Sequence, residues 1–291
     1  MKTWILAAVA AASLASAAQG ATPLPPAAIY TDPPADKAHP ARSEVLHIPS
    51  GGVLINGLAY IPSGAGPHPT VLVLHGLPGN EKNLDLAQAI RRAGWTAVTF
   101  NYRGSWGSPG SFSFKGNLAD AKAVLAYLRT PDVAAKLQID PKHLVIAGHS
   151  MGGWVTAVTA GQDDGLAGAV LISSADMSAL RAAPIATRLQ TATENMEALA
   201  GVSAQSMADE MATLTAAESF AAAAPGLAKK PLLVLTSDDG LAPVADGLVA
   251  AIRKGGGTRV TQVHVATDHG YSTARIRLES EILRWLAALP K

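Results

Sequence analysis

The chain has no cysteine among its 291 residues. Disulfides, thiolate metal sites and a cysteine nucleophile are therefore excluded, and so is a lipid anchor attached through cysteine. Charge is scarce: charged residues make up 15% and the net charge is +1. Without a basic stripe or a charge run, the composition gives no reason to expect nucleic acid as a partner. Aromatic residues are 5% of the chain, and alanine is abundant, as in a compact globular protein and not a disordered one. The eight histidines are scattered, with no H-x-x-x-H pair, so neither a metal nor any other cofactor is expected.

Long apolar runs are also missing. The strongest, residues 4–18, follows a short basic start (Met1-Lys2-Thr3) and runs into the small residues Ala15-Ser16-Ala17-Ala18. It is too short for a comfortable membrane span and has the layout of a secretory signal peptide over residues 1–20. Export to a periplasm or outside the cell is the expectation, with no stable membrane association after cleavage. Residues 21–42 carry six prolines, a density that disfavours helix and central strand, so an extended leader is expected there.

What remains, residues 43–291, is the right length for one α/β domain. Apolar, β-branched runs fall at residues 44–48, 53–60, 70–75, 96–102, 143–147, 166–173, 232–236 and 260–265. Helical periodicity falls between them at 83–93, 117–129, from 153, at 244–253 and at 275–289, with Pro131 read as a helix stop. Strands alternating with helices predict a mostly parallel, doubly wound sheet with helices on both faces. The opening pair is expected to be an antiparallel hairpin turning at residues 49–52. The segment 176–230 is about fifty-five residues long where one crossover helix would suffice; it is expected to form a helical cap.

The chemistry is concentrated in Gly148-His149-Ser150-Met151-Gly152, a G-x-S-x-G at a predicted strand–helix junction. A serine hydroxyl is a poor nucleophile unless it is exposed, oriented and paired with a base. A sharp turn lifts it clear of the sheet, and flanking glycines keep Cβ atoms out of the crowded bend. The base and its orienting acid are sought downstream. Strand 232–236 ends in Ser237-Asp238-Asp239, and the last strand is followed by Asp268-His269-Gly270. Acid and histidine thus fall at carboxyl ends of strands, on the rim expected to carry Ser150. Either aspartate could serve as the acid on this reading. His149 is expected to pack beside the serine turn and His75 to hold its own loop. Trp106, Phe112 and Phe114 are expected in the core or a pocket wall.

In the order Ser150, Asp239, His269, the chain resembles the α/β-hydrolase family over about residues 44–290. The loop His75-Gly76-Leu77-Pro78-Gly79 and Asn101-Tyr102-Arg103-Gly104 are similar to its dienelactone-hydrolase and serine-peptidase-like branches. The resemblance implies an acid four residues before a proline, which selects Asp239 (Pro243 follows) over Asp238. Asp238 is then expected to cap the next turn. It also implies an oxyanion hole made by the Met151 N–H and a donor in the 75–79 loop. Pro78 has no N–H, so Leu77 is taken as the second donor. A serine hydrolase acting on a small-molecule carboxylic ester is the resulting expectation. A peptidase or amidase would need an acid to hold an amine, with Glu194, Glu197, Asp209 and Glu210 as candidates. A non-catalytic binding protein on this fold is the third reading.

Overall fold

The computed structural model describes residues 23–290; the signal peptide expected at residues 1–20 lies outside them. Eight strands form one sheet: β1 (Arg42–Ser50), β2 (Val53–Ile61), β3 (His68–Leu74), β4 (Thr96–Phe100), β5 (Ile139–His149), β6 (Gly168–Ile172), β7 (Leu232–Thr236) and β8 (Val260–His264). Their order across the sheet is β1-β2-β4-β3-β5-β6-β7-β8. Only β1 with β2, and β2 with β4, pair antiparallel; from β4 to β8 every pairing is parallel.

Parallel strands need covered faces, because each crossover lays a helix on the sheet. That is why β6 and β7 are buried at every position. On one face, α1 (Leu84–Arg92) contributes Leu86 and Ile90. On the other, α2 (Phe114–Leu128) brings Leu118, Val124 and Leu125. Two further helices follow, α3 (Pro131–Leu137) and α4 (Met151–Gln162). Trp154 of α4 is wholly buried. Pro131 does not simply stop a helix: it opens α3 at the first helical position, where a missing N–H costs nothing and the fixed φ suits the turn.

The long segment between β6 and β7 holds α5 (Ile185–Glu194), α6 (Ala204–Thr213) and α7 (Phe220–Leu227). α7 is the ordinary crossover helix, packed so tightly on α4 that a Cβ on Gly226 would lie 1.8 Å from the Gly161 carbonyl oxygen. The excess chain is therefore the part before it. That part is pinned to the loop after β4: Ala200 N–H donates to Gly104 O, Phe112 N–H to Ala200 O and Trp106 N–H to Ala198 O. Glu210 accepts from Ser113 Oγ and Lys115 N–H at the start of α2. The chain closes with α8 (Ala242–Lys254) and α9 (Arg275–Ala287), whose Leu278, Ile282 and Leu286 share a core with α1.

The proline-rich leader does not run free over its described part. Residues Ala27–Ile29 form a short 3-10 turn. Arg92 donates to the Ala28 and Ile29 carbonyls, and Arg284 to those of Pro23 and Leu24. The leader pairs with no strand, so its carbonyls are free to accept, and two arginines collect four of them.

Candidate active site

Strand order dictates where a site can form. From β3 the chain moves to one side of the sheet to make β4, and from β5 to the other. At such a reversal the loops diverge and leave a crevice at the carboxyl ends of the strands. Ser150 lies there, directly after β5. Its backbone sits at φ 58°, ψ −122°, a conformation that costs an L residue energy and persists only when the surroundings impose it. The surroundings are tight. Cβ atoms placed on Gly148 and Gly152 would lie 2.0 Å from the Gly152 carbonyl oxygen and 2.5 Å from the His75 carbonyl oxygen. Hence G-x-S-x-G at these positions: larger residues would not let the turn close against β3. Ser150 N–H donates to Ile172 O, and Ser150 O accepts from Gly153 and Ala175.

The other two sequence-derived residues meet each other on the same rim. His269 Nδ1–H donates to Asp239 Oδ2 at 2.7 Å. The Asp239 carboxylate is 5% exposed and the His269 side chain 41%: the acid is sheltered and the ring faces outward. Asp239 Oδ1 also accepts from Leu241 N–H. Burial works to raise the Asp239 carboxyl, but hydrogen bonds, those of His269 and Leu241 N–H foremost, outweigh it and hold the group below its ordinary value. Asp238 has a different partner. Its Oδ1 accepts from His264 Nε2 at 3.0 Å on the exposed outer side, and it does not cap the following turn; Asp239 does. Asp268 accepts from Ser272 N–H and anchors its own loop.

No hydrogen bond joins Ser150 Oγ to the His269 ring among the described residues; the link between them runs through His149. Its Nε2–H donates to the His269 carbonyl at 2.8 Å, and the two imidazoles lie 4.5 Å apart. The loop carrying His269 is thus tied to the residue just before Ser150. A serine–histidine hydrogen bond often tightens only in the substrate complex. Burial, then the neighbouring His269, lowers His149 to about 4, so this ring is neutral at pH 7. His75 is likewise held at about 4 by burial, against the upward pull of its hydrogen bond to Gly76 O. It organises its own loop.

Met151 is the first residue of α4, so its N–H has no intrahelical partner and points from the positive end of the helix dipole. Across the crevice, a Cβ on Gly76 would be 2.9 Å from Ser150 Cβ, which brings the 75–79 loop against the serine. Leu77 follows, half-buried. The loop is buttressed by Trp106, whose indole Nε1–H donates to Pro78 O at 2.7 Å. Phe112 and Phe114 are core residues, packed edge to face. Of the cap acids, Glu194, Glu197 and Asp209 are exposed and Glu210 is committed to the start of α2. Among the described residues no group of three His, Asp or Glu is arranged to hold a metal ion, and no helix is long and apolar enough to cross a membrane.

The sequence model of the alpha/beta hydrolase family matches residues 71–287, three quarters of the chain. The chain belongs to the alpha/beta hydrolase family. The chain is 31% identical over 121 residues to an uncharacterised protein of Mycobacterium tuberculosis, a match spanning 41% of each chain; it therefore spans less than half the length of that relative. Among solved structures, a Pyrobaculum calidifontis esterase superposes with a TM-score of 0.61 at 21% identity, over 87% of this chain and 88% of that one. A fungal esterase from Rhizomucor miehei gives 0.64 at 19%, over 90% and 86%. At such identities the likeness speaks for the fold alone.

What sequence reasoning missed is a buried cluster of hydroxyls behind the site, in which Ser173 Oγ lies 2.7 Å from Ser237 Oγ and 3.3 Å from Tyr271 Oη. Ser173 follows β6, Ser237 follows β7 and Tyr271 follows His269 by two residues. Their only sequence signal is that each stands at a strand's carboxyl end or just past the last one, which many structural residues also do.

Proposed function

We propose that this chain is an exported serine hydrolase that cleaves carboxylic esters of modest size. Ser150 Oγ attacks the acyl carbon while His269 takes its proton and passes it to the leaving alkoxide. Asp239 keeps the imidazole in the tautomer with Nδ1 protonated and stabilises the imidazolium. The Met151 and Leu77 N–H groups receive the oxyanion, each such donor typically contributing about 3 kcal/mol in the transition state. Water activated by His269 then releases the acid and frees Ser150.

The observation that carries this reading is the part-buried Asp239–His269 hydrogen bond on the same rim as a serine held in a strained turn. Solved structures of this fold include esterases and peptidases alike, so the choice between ester and peptide rests on the site itself. The cap offers no buried acid to hold a peptide amine, which favours an ester over a peptide. Export rests on the pattern of residues 1–20 and is tested by N-terminal sequencing of the protein recovered outside the cytoplasm.

The enzymatic test is fluorophosphonate labelling of the mature chain together with p-nitrophenyl butyrate hydrolysis. Stoichiometric labelling at Ser150 is expected. Ser150→Ala is expected to abolish labelling and lower kcat by about 10⁴-fold or more. A folded wild-type protein that neither labels nor turns over ester would favour the non-catalytic binding reading.

A further inference from the structure

Two loops of the site grow from strands that are not neighbours. β3 leads through residues 75–83, which carry Leu77, into α1; β8 leads through His269 into α9. Three strands, β5, β6 and β7, stand between β3 and β8. One side chain nonetheless joins the two loops. Arg275, the first residue of α9, donates Nη1–H to Gly270 O at 3.1 Å and Nη2–H to Asn83 Oδ1 at 3.0 Å. It also grips Asp85, in the first turn of α1, with Nε–H to Oδ2 at 2.8 Å and Nη2–H to Oδ1 at 2.5 Å. Four of the five guanidinium N–H groups are thus used. None of these bonds returns to α9, and a cation at a helix start opposes the helix dipole. What Arg275 holds lies outside its own helix.

The backbone that it holds is tightly constrained. The His269 carbonyl accepts from His149 Nε2–H at 2.8 Å, and the next carbonyl, that of Gly270, accepts from Arg275. Two successive peptides after the histidine are therefore pinned by side chains from different elements. Tyr271 then stands at φ 57°, a conformation that a bulky L residue adopts only where its surroundings impose it. Tyr271 N–H donates to Asp268 O, which closes the loop on itself. At the far end Asn83 is buried and left-handed, at φ 55°, with its side-chain oxygen turned to Arg275.

We infer that Arg275 is a positioning residue: through Gly270, Asn83 and Asp85 it anchors the loop that carries His269 to the end of the 75–83 loop, and so fixes the imidazole relative to Ser150 and the oxyanion donors. It touches no substrate. The inference rests on the reading of Ser150, His269 and Asp239 as a triad. Asp85 is 45% exposed and Arg275 20%, and an ion pair so open to water contributes little to stability. Its consequence is geometric instead. A planar fork bonds separate acceptors in fixed directions, which a lysine ammonium cannot reproduce. Displacing the reacting groups by about 1 Å can cost about 100-fold in rate.

The test uses the mature chain with p-nitrophenyl butyrate. Arg275→Lys keeps the charge and loses the fork; it is expected to lower kcat roughly tenfold with KM within about twofold. Asp85→Asn, which leaves Arg275 without its carboxylate, is expected to cost about threefold. In the Arg275→Lys background Asp85→Asn is expected to add nothing, because Asp85 acts through Arg275. The downfield proton resonance of the His269–Asp239 hydrogen bond, assigned by its loss in Asp239→Asn, is expected to shift or broaden in both single variants. Arg284→Lys lies on the same helix, where Arg284 bonds the leader and Glu281; it is expected to leave kcat and the resonance unchanged. An equal loss there would mark a general loosening of α9 and overturn the anchor. Unchanged kcat and an unchanged resonance in Arg275→Lys and Asp85→Asn would overturn it too, whatever either did to the urea midpoint, since that pattern marks a merely structural ion pair. So would the full threefold loss from Asp85→Asn in the Arg275→Lys background. Asp85→Asn, at a half-exposed carboxylate, carries the test alone if Arg275→Lys does not fold. Failure of the triad reading looks different: Ser150→Ala would turn over ester like the wild type.

Discussion

Asp238 and Asp239 stand side by side with partners on opposite sides. Asp239 turns inward to His269 and Leu241 N–H, and Asp238 turns outward to His264. Exposed ion pairs contribute little, whereas an acid that orients a catalytic imidazole supports the whole reaction. Asp239→Asn is therefore expected to lower kcat roughly 10³–10⁴-fold, and Asp238→Asn to leave it within about threefold, the effect of an exposed pair. Steady-state kinetics on the two variants checks the ranking, and the reverse order would reassign the acid. At this scale the sequence narrowed the choice to two residues. The family spacing to Pro243 pointed to the one that the structure pairs with His269.

At the scale of elements, the approach of α4 to α7 sets a sharper requirement than either helix's own preference. In an isolated helix, replacing glycine with alanine gains about 1 kcal/mol. At Gly226 the added Cβ would meet the Gly161 carbonyl oxygen at 1.8 Å and its carbon at 2.6 Å. Backbone cannot yield as a flexible side chain can, so overpacking of about 1–3 kcal/mol prevails. Gly226→Ala is expected to lower the urea midpoint with an unchanged slope; a gain in stability would mean that the two helices do not pack this closely. The same contact explains why residues 176–230, read from sequence as one cap, divide in two. The end of the segment is the crossover helix that any β6-to-β7 connection needs, and only the part before α7 is surplus. Nothing in the alanine-rich composition marks that division, because both parts are small-residue helices and differ only in what they pack against.

For the molecule as a whole, buried ionisable groups set a pH optimum for stability. His75 and His149 are lowered from 6.5 to about 4. A histidine with a depressed folded value contributes stability that is complete above 6.5 and lost as pH falls toward 4. Glu279 acts in the other direction. Burial first, then Asp85, raises it from 4.5 to about 7, so its contribution is complete below 4.5 and lost as pH rises through 7. Between about pH 4.5 and 6.5, unfolding takes up protons at His75 and His149, with His68, also lowered by burial, adding to the uptake, and releases one at Glu279. The net uptake, at least one proton, makes stability fall by about 1.4 kcal/mol or more per unit as pH drops. Maximum stability is expected near pH 6.5. Urea unfolding across this range, with Glu279→Gln, checks the sign: the substitution should remove the decline above the maximum and steepen the slope below it by about one proton's worth.

The sequence by itself determined the layered α/β architecture, because buried parallel strands and their crossover helices leave two different periodicities that alternate along the chain. It determined the serine turn too, since only glycine fits where β5 folds back on α4 and against β3, and that necessity is written locally. It could not decide which way adjacent side chains face after a strand ends. Neither could it show that Pro131 opens a helix instead of closing one, because a proline's effect depends on where the next turn begins. The buried hydroxyl cluster behind the site was beyond its reach for a plainer reason. Ser173, Ser237 and Tyr271 lie far apart along the chain and become neighbours only when β6, β7 and β8 pair in register. Contacts made across strands carry no local signature, so this cluster was decided by the tertiary structure alone.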